Sequence, residues 1–358
     1  MQVTFISASE INSDLGIVNA ARVSLHKKSE WYCECTNRLT HAEPCVIHGK
    51  QLNQADTKLI AYLSNHNHWT PFAHSRLTFE IEWNRIENEC DFYKHYNQAG
   101  FARHTVGNRD YLKGSLYSWL LNWYYLPTGY TDKVKYAISK SYPVTYRIFF
   151  SDEVDNFSRE HCIETSEELL IQRGYWQVAC ATLLVKVPLF VARQIRTSQV
   201  GFAYSDSYVE GESFVYNEVS RRYVNEEPEF YIIDQWRVRE GHTIKQGSTG
   251  LLYDEETIEV ANDIQASVTE LGKERYGLMV HQHIAPEQAR ALLAQSLYTE
   301  FYMTGTLHRW AQFLALRLKP DVQLETRLIA SQIAARLSAE YPAWAETYGV
   351  PEMAQSAL

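Results

Sequence analysis

The spacing of apolar residues predicts which parts of the chain form helices and which form strands. Residues 15 to 24 (LGIVNAARVS) and 55 to 63 (ADTKLIAYL) carry apolar side chains at helical spacing. In HSRLTFEIE, Leu77, Phe79 and Ile81 alternate with polar neighbours, which is the period of a strand with one buried face. A second strand is predicted much later, in ATLLVKVP.

Helical spacing returns in long segments of the carboxyl-terminal part. These segments are about 254 to 274, about 286 to 300, and 304 to 317 continuing through 321 to 338. Pro286 suits the first turn of a helix, because the N–H that proline lacks has no partner there. Strands early and helices late, without regular alternation, predict an α+β fold.

Composition narrows the class of protein. A chain of 358 residues that is 45% hydrophobic and 13% aromatic is expected to be globular. Its net charge of −9 argues against a protein that binds nucleic acid directly, although local arginines can still bind a small anion. We find no apolar run of membrane-spanning length and no signal-peptide pattern, so we expect no membrane contact and a cytoplasmic location.

One polar loop carries a cluster of sulfur and imidazole groups. CECTNRLTHAEPCVIH offers Cys33, Cys35, Cys45 and His48, with His41 in reserve, and this set could bind structural zinc in a tetrahedral site. The alternative is a set of unrelated reduced cysteines. Metal analysis of the purified protein separates the two.

The densest chemical signal is a group of arginines near the middle of the chain. VPLFVARQIR and NEVSRRY bring together the following residues: Arg193, Gln194, Arg196, Glu218, Ser220, Arg221 and Arg222. Guanidinium groups pair bidentately with phosphate oxygens and a serine adds a further bond, so this set could bind a phosphate. The alternative is surface ion pairing with Glu218.

Two more arginines lie in the carboxyl-terminal helical patterns. Arg317 follows Leu314 by three residues and so lies on an otherwise apolar face, where it needs an acceptor such as a ligand carbonyl. Arg290 opens the pattern after Pro286, near a positive helix end. Either arginine could instead extend from the rim of the core to solvent.

Six ordered segments resemble the core blocks of the flavin-dependent thymidylate synthases (ThyX). The segments are HWTPFAHSRLTFEIE, KVPLFVARQ, NEVSRRY, EPEFYIIDQWR, ARALLAQSLYTEFYMTG and FLALR. The resemblance implies one ThyX-like domain over 1 to 358 with a mixed or antiparallel sheet. Insertions are expected at about 27–52, 84–178 and 203–215.

The resemblance also implies an activity and an assembly. It implies a homotetramer with active sites at subunit junctions, FAD as prosthetic group, and methylenetetrahydrofolate and NADPH as co-substrates. Reduced flavin would supply hydride, and arginines would polarise the pyrimidine of a deoxynucleotide, without a cysteine nucleophile.

The resemblance also implies site residues, at the positions of this chain that match the motifs of the family. The implied substrate-binding residues are Gln194, Glu218, Ser220, Arg222, Arg290 and Arg317, with Arg317 catalytic against the pyrimidine carbonyl. The implied flavin-binding residues are His68, Thr70, Arg196, Gln199, Thr306, His308 and Gln312. We expect Arg222, Arg290 and Arg317 to surround one common cavity.

The chain departs from the family at the segment that holds the flavin. Where the family has Arg-His-Arg, this chain has Thr197, Ser198 and Gln199. Either Arg196 and His308 compensate, or an inserted segment does, such as ARHTVGNRDY with its arginines and histidine. Ala73 also replaces a family glutamate.

Three functions remain open from the sequence. The first is methylation of dUMP to dTMP. The second keeps the fold but yields a hydroxymethylated product or uses dCMP, as would suit modified-base synthesis by a virus in its host's cytoplasm. The third is a nucleotide-binding protein that has lost flavin. Flavin colour and the mass of the product distinguish them.

Overall fold

The largest sheet of the protein has four antiparallel strands. The computed structural model describes residues 1–33, 38–40, 49, 51–84, 96, 101–150, 167–197, 214–223, 226–238, 248 and 250–355. In spatial order the strands are β1 (Gln2–Ile6), β7 (Cys180–Pro188), β11 (Tyr298–Thr306) and β8 (Val215–Glu218). The predicted strand ATLLVKVP is thereby confirmed, and it lies inside the sheet between β1 and β11.

A second antiparallel sheet has three strands in the order β4, β6, β5. The first is β4 (Arg76–Ile81), where Leu77, Phe79 and Ile81 are buried as the alternation predicts. The other two, β5 (Phe101–Val106) and β6 (Arg109–Ser115), form a hairpin that the sequence analysis did not identify. Gly107 takes a positive φ of 62° in its turn, a conformation that glycine adopts without strain.

The remaining strands form two short hairpins, and helices make up most of the other described residues. The hairpins pair β2 (Trp31–Cys33) with β3 (Arg38–Thr40), and β9 (Arg237–Val238) with β10 (Gly250–Leu251). The helices are α1 (Ala8–Ile11), α2 (Asp14–Arg22), α3 (Gln54–Asn65), α4 (Thr70–Ala73), α5 (Leu116–Asn122), α6 (Thr128–Ser141), α7 (Pro143–Phe150), α8 (Glu167–Gln172), α9 (Leu189–Arg196), α10 (Glu255–His281), α11 (Pro286–Ala289), α12 (Leu307–Arg317), α13 (Leu324–Glu340), α14 (Pro342–Thr347) and α15 (Val350–Gln355). Antiparallel sheets with segregated helices confirm the α+β class.

Each sheet packs against its own helices. The four-stranded sheet contributes alternate residues such as Leu183, Val185 and Val187 to a core shared with α9, α12 and α13. The three-stranded sheet packs with α2, α3, α5, α6 and α7 around a second core that contains Phe79 and Trp119. The predicted helices at 15 to 24 and 55 to 63 are α2 and α3, and both belong to this second core.

Buried polar contacts join the two cores. The ring Nδ1 of His74, after α4, lies 2.7 Å from the hydroxyl of Thr304 on β11. The ammonium of Lys113 on β6 donates to the carbonyl of Val178 and lies 2.8 Å from the thiol of Cys180 on β7. Because all these groups lie at the same end of the large sheet, the hairpin β5–β6 is fixed against that end.

The segment at 286 to 300 differs from its predicted helix. Only one helical turn, α11, forms there, followed by a 3₁₀ turn at Arg290–Leu292 and then by β11. Arg290 is therefore at the carboxyl end of a short helix, and its predicted proximity to a positive helix end is wrong. The long carboxyl-terminal pattern is also interrupted: α12 ends at Arg317 and α13 begins at Leu324.

The longest helix, α10, exposes an apolar stripe. Val260, Ile264, Val268 and Leu271 are each more than half exposed, and their spacing of three or four residues places them on one face. Tyr276 attaches the helix to a small core with Leu293. Among the described residues, no helix is long and apolar enough to cross a membrane.

Candidate functional site

Two cavities border α9, and six of the predicted site residues line them. The Arg222 cavity, about 570 Å³, is lined by Glu218, Ser220, Arg222 and Arg290, among others. The Arg317 cavity, about 690 Å³, includes Gln194 and Arg317 in its wall. Arg193 of α9 lines the first cavity and the next residue, Gln194, lines the second. Within one chain, the three arginines expected around one cavity are therefore divided between two.

The Arg222 cavity combines several guanidinium groups with one hydroxyl. Its cations are Arg193, Arg221, Arg222 and Arg290, and its carboxylates are Glu218 and Glu287. The Nε of Arg222 donates to the hydroxyl of Ser220 at 3.2 Å, so the serine and the arginine are held side by side. Such a set suits a small anion with several oxygens, such as a phosphate.

The carboxylate of Glu218, which could otherwise pair with these arginines, is already bound by two other side chains of the same chain. Glu218 accepts hydrogen bonds from Arg196 at 2.5 Å and from the hydroxyl of Thr299 at 2.6 Å. Arg290 and Arg221 are positioned by main-chain carbonyls, those of Glu287 and Glu226 respectively. Burial lowers the pKa of the Arg221 guanidinium, since a charged group loses hydration there. The cavity thus keeps an excess of positive charge.

The Arg317 cavity contains a half-buried guanidinium fixed on α9. Arg317 donates from Nη2 to the main-chain carbonyl of Gln194 at 2.6 Å, which ties the end of α12 to α9. Burial lowers the pKa of Arg317, and nearby Tyr216 acts in the opposite direction. The wall also contains the guanidinium groups of Arg237 and Arg327, the ring of Trp236 and one carboxylate, that of Asp321.

The side chain of Gln194 belongs to a hydrogen-bonded chain at the floor of the Arg317 cavity. Its nitrogen donates to Oε1 of Gln323, and its oxygen accepts from the hydroxyl of Thr326 at 2.9 Å. Gln323 in turn donates to Glu325 at 2.9 Å, and Glu325 accepts from Arg237 at 2.5 Å. This chain fixes the position and the orientation of Gln194.

Three of the predicted flavin-binding residues meet at the start of α12. Thr306 caps the helix by accepting from the main-chain N–H of Arg309 at 3.1 Å. Gln312 bridges the ring Nε2 of His308 and the guanidinium of Arg309, at 3.0 Å and 2.9 Å. The other ring nitrogen of His308 lies 2.8 Å from the hydroxyl of Tyr348. This α12 cluster has the donors and acceptors to fit the polar edge of a flavin ring.

The other predicted flavin-binding residues lie elsewhere. His68 and Thr70 are at the start of α4, where the ring of His68 lies 6.1 Å from that of Tyr62. Arg196 is held by Glu218, as described above. Gln199 lies outside the described residues.

The hairpin β5–β6 supplies no obvious replacement for the missing Arg-His-Arg charges. Arg103 is paired with Asp110 at 2.9 Å, and Arg109 with Glu80 at 3.1 Å. Burial, with smaller effects of Lys113 and His308, lowers the pKa of His104 to about 4, so this imidazole is neutral near pH 7. The contacts therefore do not favour phosphate binding by these hairpin groups.

The zinc prediction falls mostly outside the described residues. Cys33 is buried, whereas Cys35, Cys45, His48 and His41 are not described. Among the described positions, no group of three histidine, cysteine or acidic side chains has an arrangement that could hold a metal ion. Zinc in this loop stays a prediction.

Sequence reasoning missed several residues of the Arg317 cavity. Arg237 and Trp236 belong to the quoted segment EPEFYIIDQWR, but nothing in its spacing indicated that they face the same space as Gln194. Gln323 and Arg327 flank the start of α13, beyond the predicted site residues. Long-range packing of β9 against α13, through Arg237 and Glu325, brings these groups together.

Together, the sheets, the helices and the two cavities define an α+β protein with two arginine-lined cavities. The chain belongs to the family described as "Thymidylate synthase complementing protein", whose model matches residues 7–88 and 136–343. The unmatched stretch, 89–135, contains the hairpin β5–β6 and lies within the segment predicted as an insertion.

Curated relatives of the chain are named flavin-dependent thymidylate synthase. A protein from Thermus thermophilus is 36% identical over 165 residues, which are 45% of this chain and 53% of that protein. The chain thus matches about half the length of the first such relatives. The protein from Aquifex aeolicus is 27% identical over 352 residues, 90% of this chain and 93% of that protein. A solved structure of the UMP/dUMP methylase PolB from Streptomyces cacaoi covers 98% of the chain at 17% identity with a TM-score of 0.42.

Proposed function

We propose that the protein transfers a one-carbon unit from methylenetetrahydrofolate to C5 of dUMP, giving dTMP, with FAD as prosthetic group and NADPH as reductant. The family membership and the names of the relatives support this reaction class. The observation that carries the proposal is the shared cavity of Ser220, Arg222 and Arg290, which suits the phosphate of a nucleotide.

The Arg222 cavity would bind the phosphate end of the nucleotide. Arg222 and Arg290 would each donate to phosphate oxygens, and the hydroxyl of Ser220 would add a third contact. Glu218 lines the same cavity, but its two carboxylate oxygens already accept from Arg196 and Thr299, and the hydroxyl of Ser220 accepts from Arg222.

The Arg317 cavity would bind the pyrimidine. A guanidinium held 2.6 Å from the carbonyl of Gln194 is already oriented before substrate arrives. It would donate to a ring carbonyl on which negative charge grows as C5 becomes nucleophilic, which stabilises the transition state more than the ground state.

The α12 cluster, with His68 and Thr70, would hold the flavin. Bound flavin supplies the hydride that completes the methyl group. His308 and Gln312 would contact the ring system and fix its position, since their side chains are already linked to Tyr348 and Arg309.

Two copies of the chain are needed for one complete site. Because Arg317 lines one cavity of the chain while Arg222 and Arg290 line another, we infer that the Arg317 cavity of one copy meets the Arg222 cavity of another, within a homotetramer. The exposed apolar stripe of α10 supports such assembly, since water-exposed faces of this kind usually mark an interface.

The test is a reaction of the purified protein with dUMP, methylenetetrahydrofolate and NADPH, followed by the mass of the nucleotide product. A yellow protein that yields dTMP is expected. A hydroxymethylated product, or turnover of dCMP alone, would replace this proposal by the second function described above. Colourless protein that cannot be reconstituted with flavin would contradict both enzymatic functions.

A further inference from the structure

The hydrogen-bonded chain that ends at Gln194 begins at a buried carboxylate, that of Glu325. We call this chain, which runs from Glu325 through Gln323 to Gln194, the relay. Glu325 is 2% exposed and accepts from Arg237 with one oxygen and from the amide of Gln323 with the other. An ionised carboxylate only accepts hydrogen bonds, so Gln323 must turn its nitrogen towards Glu325. Its oxygen then faces Gln194.

The orientation of Gln323 dictates that of Gln194. An amide oxygen requires a donor, so Gln194 must turn its nitrogen to Gln323, and its own oxygen towards the hydroxyl of Thr326. Thr326 is fully buried, whereas Gln323 is part of the cavity wall. The oxygen of Gln194 is therefore held by a buried hydroxyl, whereas its nitrogen is turned towards a residue of the cavity wall.

The cavity side of this site consequently carries hydrogen-bond donors. The amide nitrogen of Gln194 and the guanidinium of Arg317 come from adjacent elements, because Arg317 is anchored on the main chain of Gln194 itself. Donors suit the carbonyl oxygens of uracil. They oppose the amino group that cytosine carries in place of one carbonyl, since two facing donors leave both without an acceptor.

We propose that Glu325, held by Arg237, is a positioning residue that makes the site select uracil over cytosine by fixing the orientation of two successive amides. This inference rests on the proposed function and adds the determinant of its pyrimidine specificity. Glu325 acts through Gln323 and Gln194 and does not touch the substrate.

The variant Glu325→Gln tests the relay directly. A neutral amide can donate as well as accept, so Gln323 and then Gln194 are free to turn over and present an oxygen to the ring. We expect the ratio of kcat/KM for dUMP to that for dCMP to fall by about 10-fold or more, together with the ratio of the two dissociation constants measured by calorimetry on the flavin-loaded protein. Thr326→Val, which removes the donor at the other end, should lower the same ratios.

Glu340→Gln is the matched control, because Glu340 ends the same helix and lies at the surface. Its ratios should equal those of the wild type. Unchanged ratios in Glu325→Gln, with a wild type that converts dUMP, would overturn the relay and leave the proposed function intact. A wild type that neither binds nor converts dUMP would instead overturn the proposed function. If Glu325→Gln does not fold, the same ratios are measured on Thr326→Val, and unchanged ratios in that variant overturn the relay.

Discussion

Alanine substitutions of Arg317 and Arg222 are expected to affect different quantities, the turnover number in one case and the affinity for the nucleotide in the other. Arg317→Ala should lower kcat by about 10²- to 10³-fold, because the donor acts on charge that develops in the transition state. Arg222→Ala should mainly raise the dissociation constant of the nucleotide, by about 10-fold or more, because it loses a charge-assisted bond to phosphate. Steady-state kinetics and calorimetry separate these effects.

Lys319→Ala, at an exposed position just after α12, is a suitable control for both arginine variants. Wild-type kcat in Arg317→Ala would show that this guanidinium does not act on the ring. Unchanged nucleotide affinity in Arg222→Ala would remove the phosphate assignment of its cavity.

His74 should make the stability of the protein depend on pH. Burial, with a smaller effect of Arg76, lowers its pKa from 6.5 to about 3, so the folded protein keeps the ring neutral. The unfolded chain takes up a proton below about pH 6.5, so the stabilisation is complete above that pH and is lost as the pH falls towards 3. At pH 5 the loss is about 2 kcal/mol for this residue.

Urea unfolding at pH 7 and pH 5 measures this effect. His74→Gln should show a smaller difference between the two pH values than the wild type, and His66→Gln, at an exposed position, should show the same difference as the wild type. An identical pH dependence in His74→Gln and wild type would contradict the assignment. His104, whose pKa is also lowered, should contribute in the same direction.

Asp14 joins two helices that are far apart in sequence. Its carboxylate accepts from the main-chain N–H groups of Val144 and Thr145, at 2.7 Å and 3.0 Å, and from the hydroxyl of Thr145 at 2.6 Å. It thereby satisfies the amino-terminal N–H groups of α7, which lie buried in the second core. Asp14→Ala should lower the free energy of unfolding by about 3 kcal/mol, because buried donors lose their acceptor.

Thr145→Val is the matched variant for Asp14. It removes one hydroxyl bond and leaves both main-chain bonds, so it should cost only about 1 kcal/mol. Denaturant titrations of the two variants provide the comparison. Equal losses would mean that packing of the side chain at 145, and not the carboxylate, holds α7 in place.

The elements that the sequence predicted well are those with a single clear period. Alternation at Leu77, Phe79 and Ile81 gave β4 almost to the residue, and the helical spacing of 55 to 63 gave α3. The strand β11 was missed because ARALLAQSLYTEFYM also fits helical spacing. Phe301, Met303 and their neighbours are buried on both faces of an interior strand, so no alternation marks it.

Only part of the candidate site was predictable from the sequence. Ser220 and Arg222 are neighbours in sequence, and Arg290 was matched through the family resemblance, so their shared cavity follows the prediction. The separation of Arg317 from Arg222 and Arg290 within one chain was not predictable, because it depends on how α9, α12 and the loop after β8 pack in three dimensions. The relay through Gln323 and Glu325 depends on tertiary contacts for the same reason.

The apolar stripe of α10 should be required for assembly. Ile264→Glu combined with Val268→Glu places two charges on a face that is apolar and exposed in a single chain, and should yield smaller species in light scattering. Under the proposed assembly, in which each site draws on two copies, activity should fall with the oligomer. Glu259→Lys, on the same helix but off the stripe, should change neither. An unchanged mass would place the subunit contacts elsewhere.

Mixing the Arg317→Ala and Arg222→Ala variants, at a dUMP concentration so low that each variant alone turns over little substrate, tests whether sites are shared between copies. Arg317→Ala and Arg222→Ala damage opposite cavities, so a mixed pair regains one site with both arginines intact. After random exchange of subunits, we expect about one quarter of the sites to be active. Each variant incubated alone serves as the control. No recovery, with exchange verified by mass spectrometry, would mean that each chain builds its own site.

The eight residues of α9 border two binding spaces at once, with Arg193 facing one and Gln194 the other. Inserting a single residue there would rotate the following part of the helix by about 100°, and both side chains would leave their positions together. A change of chain length in this helix would thus alter the walls of both cavities at once. The hairpin β5–β6 lines neither space, so its length can vary at far smaller cost to turnover.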